Sequence, residues 1–327
     1  MHRSMKSLVL AFGVSAVLIG GPVAASADSL KITLAGGSVG GAWSAMGAAI
    51  GQTIRLQVPG SSFTYEPGRD AANVQLVSEG KVQLGITHAQ MALSASKGAP
   101  PFKQKITNIR AIALLDPEAT VQIVVRKDSP YANLDDIAKA NKPIRIALNK
   151  RGTMMAIAGE AVFTAAGLSP KAIAANGGRI EYVDFNSGLD MLKNGQVDLV
   201  LNMLAFPSAQ LERLSHDMGV KLLPISAATQ AKINGDIGTT SVTIPAKTYA
   251  FEPEPVGTVT GHVVLVASDK MSDAEAETIT KAMLDHFDYL TKAYPSFARM
   301  GKKALPDVAP LELAAGAKKA YKAAGIQ

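Results

Sequence analysis

The residues of this chain with most scope for chemistry sit where apolar runs end. After Lys31-Ile32-Thr33-Leu34-Ala35 comes Gly36-Gly37-Ser38-Val39-Gly40-Gly41, and then Trp43, Met46, Ile50 and Ile54 recur at spacings of three and four. That order predicts a strand, a glycine loop and a helix. Glycines let backbone N–H groups come close to a ligand, and the start of a helix adds a positive dipole end, so the loop suits an anion. Further along, Asn149-Lys150-Arg151-Gly152-Thr153 stands between a predicted strand over 144–148 and a helix running to Ala166. Two facing turns of this kind favour a carboxylate or another small anion, with Gly37, Ser38, Val39, Gly40 and Trp43 on one side and Gly152 and Thr153 on the other. Arg69 and Arg151 fall in the helix-start loops of opposite halves, where a guanidinium can grip a carboxylate through two parallel hydrogen bonds. Thr87 and His88 end another predicted strand. Asn202 and Phe206-Pro207 follow a later one and offer a polar amide and an aromatic wall.

Other chemistries fit less well. Gly36-Gly37-Ser38-Val39-Gly40 satisfies the G-x-S-x-G elbow, so a serine hydrolase using Ser38 stays open as the less favoured alternative. Such an enzyme needs a histidine base. His88, His216, His262 and His286 are present, but none lies in a recognisable loop for the role, and an elbow on the first strand lacks preceding strands to build an oxyanion hole. The dinucleotide fingerprint fails because Ser38 stands where its second glycine belongs. Asp184-Phe185-Asn186-Ser187-Gly188-Leu189-Asp190 loosely resembles a calcium loop, yet Gly195 occupies the place of the bidentate glutamate. No metal or cofactor is expected.

The elements that must position these residues follow from length and pattern. With 327 residues, 47% of them hydrophobic and 18% charged, the chain is neither disordered nor fibrous and is long enough for two lobes. The absence of cysteine removes disulfides, thiolate nucleophiles, Cys-ligated metals and a lipid-modified cysteine. Residues 1–27 read as a cleaved secretory signal, with Arg3 and Lys6, an apolar run and Ala25-Ser26-Ala27 before Asp28. Losing those two basic residues and no acid takes the net charge from +6 to +4, too mild for a nucleic-acid partner. Lys318, Lys319 and Lys322 read as a solvated helix face.

Strands and helices alternate, and the unit strand, helix, strand, helix, strand occurs twice, closing on Gly80-Lys81-Val82-Gln83-Leu84 and Gly195-Gln196-Val197-Asp198-Leu199. Alternation of this kind predicts an α/β fold of two parallel-sheet lobes. The expected division is lobe I over 28–118 plus 260–327 and lobe II over 119–259, joined by extended connections at 119–126 and 257–267. Asp70 is expected to cap a helix, and 273–294 to form one helix packed on lobe I. A cleft with two hinge strands suits closure around a ligand.

The chain resembles the TAXI-type solute-binding subunits of tripartite ATP-independent periplasmic (TRAP) transporters. The resemblance rests on Ile32-Thr33-Leu34-Ala35-Gly36-Gly37 with Gly40-Gly41 and Trp43, on Glu66-Pro67-Gly68 followed by Ala72-Asn73-Val74-Gln75-Leu76, and on Glu79-Gly80-Lys81-Val82-Gln83-Leu84-Gly85-Ile86. Val124-Val125-Arg126-Lys127-Asp128 and Ala320-Tyr321-Lys322-Ala323-Ala324-Gly325 extend it over essentially the whole mature chain. It implies a type II periplasmic-binding-protein fold and no enzymatic activity. It also implies capture of a small organic acid or amino acid, such as glutamate or a 2-oxo dicarboxylate, by a periplasmic monomer that delivers it to an ion-coupled membrane permease. By position, the family's ligand loops fall on Gly37 to Trp43, Thr87-His88 and Gly152-Thr153. Trp43, Arg69-Asp70 and Arg151 depart from the family's usual Tyr, Gly-Ser and Ser, and the added arginines suggest a second acidic group on the ligand. A sensing domain that docks on a membrane receptor is the other open reading.

Overall fold

The structure is a computed structural model that describes residues 29–326. The expected signal segment lies outside the described residues. The first half of the chain runs β1 (Lys31–Ala35), α1 (Ala42–Gln57), β2 (Ser62–Glu66), α2 (Asp70–Ser78), β3 (Leu84–His88), α3 (Ala89–Lys97) and the long β4 (Ile109–Arg126). The order then returns as α4 (Leu134–Ala140), β5 (Arg145–Leu148), α5 (Met154–Ala165), α6 (Pro170–Ala175), β6 (Arg179–Tyr182), α7 (Phe185–Lys193) and β7 (Leu199–Leu204). After α8 (Ala209–Asp217), β8 (Val220–Leu222), α9 (Ala227–Ile237) and β9 (Thr240–Ile244), the long β10 (Val256–Ser268) leads back. The chain ends in α10 (Asp273–Asp285), α11 (Phe287–Ala293), α12 (Pro295–Met300) and α13 (Ala315–Ala323).

The strands form one mixed sheet in the order β2-β1-β3-β10-β4-β7-β5-β6, with β8 on β4 and β9 on β10. Parallel pairing is confined to β2-β1-β3 and β7-β5-β6, the two repeated units. Between them β4 and β10 run antiparallel to each other and to β7 and β3. The two extended connections are thus the middle of the sheet. Thr120 marks the changeover on β4, since it pairs with Thr260 on one side and with Leu204 on the other. Its hydroxyl donates to the Thr260 Oγ1 at 3.1 Å, and Thr258 Oγ1 donates to the Val121 carbonyl at 2.7 Å, so the crossing strands are tied where they are otherwise apolar.

Burial on both faces explains why β3 is continuously buried and why Val263 to Ala267 of β10 are each at most 3% exposed. A large core joins α1, α2, α3 and α10 to the first half of the sheet, and a smaller one packs Phe185, Leu189, Leu192, Leu211 and Leu214 of α7 and α8 against Val200 and Val124. α10 and α11 pack against α1.

Two local expectations change. The run Ile180 to Phe185 predicts a strand in the second repeated unit, but the strand stops at Tyr182, because Asp184 accepts the Ser187 N–H at 3.0 Å and starts α7 at Phe185. The predicted helix over 273–294 is two helices, broken at His286, whose backbone leaves the helical region at φ −114 and ψ 34. α10 itself begins with a complete capping box, Ser272 and Glu275 exchanging side-chain and backbone bonds.

The loops that converge on the carboxyl ends of β1 and β3 are held by one fully buried amide. Asn73 of α2 donates through Nδ2 to the Gly36 carbonyl at 3.0 Å and the Ile86 carbonyl at 2.8 Å, while its Oδ1 accepts the Arg69 N–H at 3.2 Å. Removing it leaves buried groups on three loops without partners. The Asn73→Ala protein is expected to unfold at lower denaturant, with at least about 2 kcal/mol lost and an unchanged slope m. Equal midpoints for the two proteins would contradict this placement.

Candidate ligand-binding site

At the end of β1 the chain turns under Tyr65. Gly36 N donates to the Glu66 carbonyl at 2.9 Å, and Tyr65 Oη donates to the Gly37 carbonyl at 2.8 Å. A Cβ on Gly36 would come within 2.3 Å of that phenol oxygen, so only glycine allows the ring to lie across the loop. Gly40 then takes φ +80, a left-handed conformation that other residues rarely adopt, and Gly41 stands at the N-cap of α1. No side chain caps α1 and no acid lies in its first turn, which leaves the Ala42 and Trp43 N–H groups without a protein acceptor among the described residues and the positive dipole end uncompensated.

The loop forms one wall of a cavity of about 600 Å³ between the two halves of the sheet. Arg69, Asn149, Lys150, Asp184, Asn202 and Gln210 are among its other polar lining residues. Asn202, only 4% exposed at the end of β7, uses Oδ1 to accept the Met203 N–H at 3.0 Å, and its Nδ2 has no protein acceptor among the described residues. Asp184 is held below the ordinary carboxylate value, first by the Ser187 N–H and further by the Lys150 charge. Two cations, one carboxylate already engaged as a helix cap, an amide donor and an open helix start make a site that favours a small anion.

Asp70 does something the sequence reading did not assign. It is not the cap of α2 but its first residue, with Arg69 at the N-cap, and its side chain is 1% exposed. Oδ1 accepts the His88 backbone N–H at 3.0 Å and lies 2.6 Å from His88 Nδ1, which donates to it. Oδ2 accepts the Met154 N–H at 3.0 Å, at the start of α5 on the other side of the cleft. Burial by itself would raise this carboxyl's pKa, but the His88 ring and the two backbone N–H groups together hold it below the ordinary value. A carboxylate of the first half therefore occupies the helix start of the second. That corrects the expectation of two helix N-termini facing a ligand: the α5 terminus is satisfied internally, by Asp70 at Met154 and by Thr153 Oγ1 accepting the Ala156 N–H at 3.2 Å.

Eight residues expected at the site come together around the cavity: Gly37, Ser38, Val39, Gly40, Trp43, Arg69, Thr153 and Asn202. Gly152 lies at its edge and spends its carbonyl on the Ala71 N–H at 3.4 Å, across the cleft. Thr87 is fully buried behind it, 3.5 Å from Asp70 Oδ1. His88 and Pro207 instead line an adjoining smaller chamber, and Phe206 packs on the α7–α8 core. Arg151 does not point into the cavity. Its guanidinium lies 3.6 Å from the centre of the Tyr182 ring and 3.5 Å from Glu160, where stacking and charge hold it outside. Only its backbone carbonyl takes part, accepting from Arg69 Nη1 at 3.3 Å. The second cation is Lys150, next to it in sequence; its place in the loop two residues after β5 was the available signal. Ser38 is exposed on the loop, and no hydrogen bond joins it to a histidine among the described residues. No group of three or more metal-ligating side chains occurs among the described residues.

Sequence and fold comparisons give the family and the fold. The chain belongs to the NMT1-like family, which it matches over residues 34–325. Its fold is that of periplasmic binding proteins. It is similar to PhnD1 from Prochlorococcus marinus in complex with methylphosphonate, at TM-score 0.55 and 12% identity over 90% of this chain and 96% of that one. The periplasmic binding protein BugD aligns at TM-score 0.53 and 17% identity, covering 91% and 98%. A binding protein component of an ABC phosphonate transporter from Pseudomonas aeruginosa aligns at 0.52 and 13%, covering 83% and 80%. No helix among the described residues is long and apolar enough to cross a membrane.

The Asp70 bridge makes stability depend on acid. Because its folded pKa lies below the ordinary 3.8, the bridge contributes fully above that value and is lost as pH falls through the folded pKa. Thermal unfolding from pH 7 to pH 3 should show the wild type losing Tm more steeply below about pH 4 than Asp70→Asn. The variant should melt lower at pH 7, since an amide oxygen cannot serve all three donors and its NH₂ faces one of them. Parallel curves would contradict the bridge.

Proposed function

We propose that this protein is an exported solute-binding protein that captures a small organic anion in the cavity between two lobes and presents it to a membrane permease. The observation that carries the reading is the cavity itself: an uncapped helix start, a glycine loop, Arg69, Lys150 and the Asn202 amide converge on it. The NMT1-like assignment and the binding-protein fold support it. The TAXI-type resemblance adds the finer expectation of a TRAP permease, with a carboxylate such as glutamate or a 2-oxo dicarboxylate as first candidate. The proposed division is lobe I over 28–118 plus 260–327 and lobe II over 119–259, with hinges near 119 and 260, and the pairing of Thr120 with Thr260 supports it. A ligand that contacts both lobes favours the closed arrangement, and that shape is what a permease reads.

Trp43 is the one tryptophan and lines the cavity, so its fluorescence reports occupancy without a label. Titration with carboxylates, phosphonates and sulfonates is expected to give a saturable change for at least one anion class and none for neutral sugars. Native mass spectrometry of the protein purified without denaturation should show the same mass difference. Arg69→Ala is expected to weaken the bound anion at least about tenfold while leaving the melting temperature within a few degrees, because Arg69 is exposed and its one protein contact is peripheral. A response to sugars alone would refute the anion reading.

A further inference from the structure

The cavity does not end at Trp43. Behind it lies a second chamber of about 270 Å³, and the two share Ala42, Trp43, Met155, Met203, Leu204 and Gln210 as common walls. Their linings differ in kind. The front chamber carries Arg69, Lys150, the glycine loop and the open helix start. The rear chamber is faced by Met46, Val263, Ala119, Pro207 and the shared methionines, and its polar groups are largely spent on each other. Asp116 accepts from Ser296 Oγ at 2.8 Å, from Tyr294 Oη at 3.1 Å and from the Glu118 N–H at 2.9 Å, and Arg299 pairs with Glu118 at 3.2 Å. Two polar groups in this wall are left over, the Ser208 hydroxyl, which makes no side-chain cap on α8, and one nitrogen of the His88 ring. His88 is 2% exposed with Nδ1 committed to Asp70, and its Nε2 has no protein partner among the described residues.

We infer that the ligand is an amphipathic acid: its anionic head sits in the front chamber and an apolar body, aryl or branched alkyl, fills the rear one past Trp43, Met155 and Met203. This rests on the anion-binding reading and sharpens it. An apolar cavity of about 150 Å³ is enough to take up benzene, so the rear chamber holds a phenyl ring or a branched chain of similar size. A body of that kind buries apolar surface against methionines, whose flexible thioethers adapt to shape and favour aromatic edges. His88 Nε2 supplies one polar contact at the chamber wall. Glutamate or a short dicarboxylate would leave the rear chamber unfilled.

The test uses the processed wild-type protein and a graded set of acids, read by Trp43 fluorescence and calorimetry: propanoate, glutarate, 4-methylpentanoate and 3-phenylpropanoate. The two acids with apolar bodies are expected to bind at least tenfold more tightly than propanoate and glutarate, a difference of about 1.4 kcal/mol. Ala209→Leu, at an exposed position on the rear-chamber lining, should remove that advantage and leave glutarate affinity within twofold. Retained glutarate binding also reports that the variant is folded. Equal affinity across all four acids would overturn the rear-chamber inference while keeping the anion reading. No binding of any of the four, alongside binding of a sulfonate or phosphonate, would overturn the carboxylate head; repeating the comparison with methylphosphonate and phenylphosphonate then decides the rear chamber, equal affinities overturning it.

Discussion

The arrangement of this molecule turns on a buried carboxylate that reaches across the cleft. Asp70 stands on the first turn of α2, yet its two oxygens are divided between the strand end at His88 and the helix start at Met154. In a low-dielectric interior an isolated carboxylate would be prohibitive, and this one is tolerated because three N–H donors surround it. The consequence is geometric. Residues 69–71 and 151–154 are pinned against each other, with Ala71 N to the Gly152 carbonyl and Arg69 Nη1 to the Arg151 carbonyl as flanking contacts. In this arrangement the seam sets the mouth of the cavity and holds its two walls together there.

The seam also explains an asymmetry in the electrostatics. Both repeated units place a helix start at the end of their first strand, and symmetry would give a ligand two dipole ends. α5 is neutralised by Asp70 and capped by Thr153, whereas α1 has neither a cap nor an acid. The two repeats therefore differ: the first keeps an open helix start, and the second bonds to the first at Met154 and contributes Lys150 and Asn202 from its rim. On the proposed reading, a single open dipole with two exposed cations is a more adaptable anion site than two rigid helix starts, and the chamber behind Trp43 adds selection by shape.

How far this was legible in the sequence depends on the range of each interaction. β1, β2 and α1 could be placed closely, because alternation, a glycine loop and a three-to-four spacing are local signals that agree with one another. The long β4 and β10 were legible as extended connections but not as the centre of one mixed sheet, since antiparallel pairing between residues about 140 positions apart leaves no local trace. The strand expected to reach Phe185 ended early because a side-chain cap at Asp184 outweighs the preference of Phe for extended backbone. Within the site, the glycine loop, Trp43, Arg69, Thr153 and Asn202 were found from their position at strand ends. Arg151 and Lys150 are adjacent in one loop, and the Tyr182 ring, brought alongside by β6, together with Glu160 of α5, holds Arg151 away from the cavity.

Asp70 shows the limit most clearly. An acid one residue after a Pro-Gly-Arg turn has the pattern of a helix cap, and that local reading accounts for the residue without any tertiary information. What overrides it is the depth of the position: once β3 is buried on both faces, a carboxylate at that point cannot reach water and must find donors, and those available belong to His88 and to α5. The same burial withdraws one side of His88 from the cleft and turns its ring to the rear chamber. One residue thus fixes the seam between the halves, silences one of two equivalent anion sites and orients the polar atom at the back of the cavity. On the proposed reading, the charge and the shape offered to a ligand both follow from this one tertiary contact.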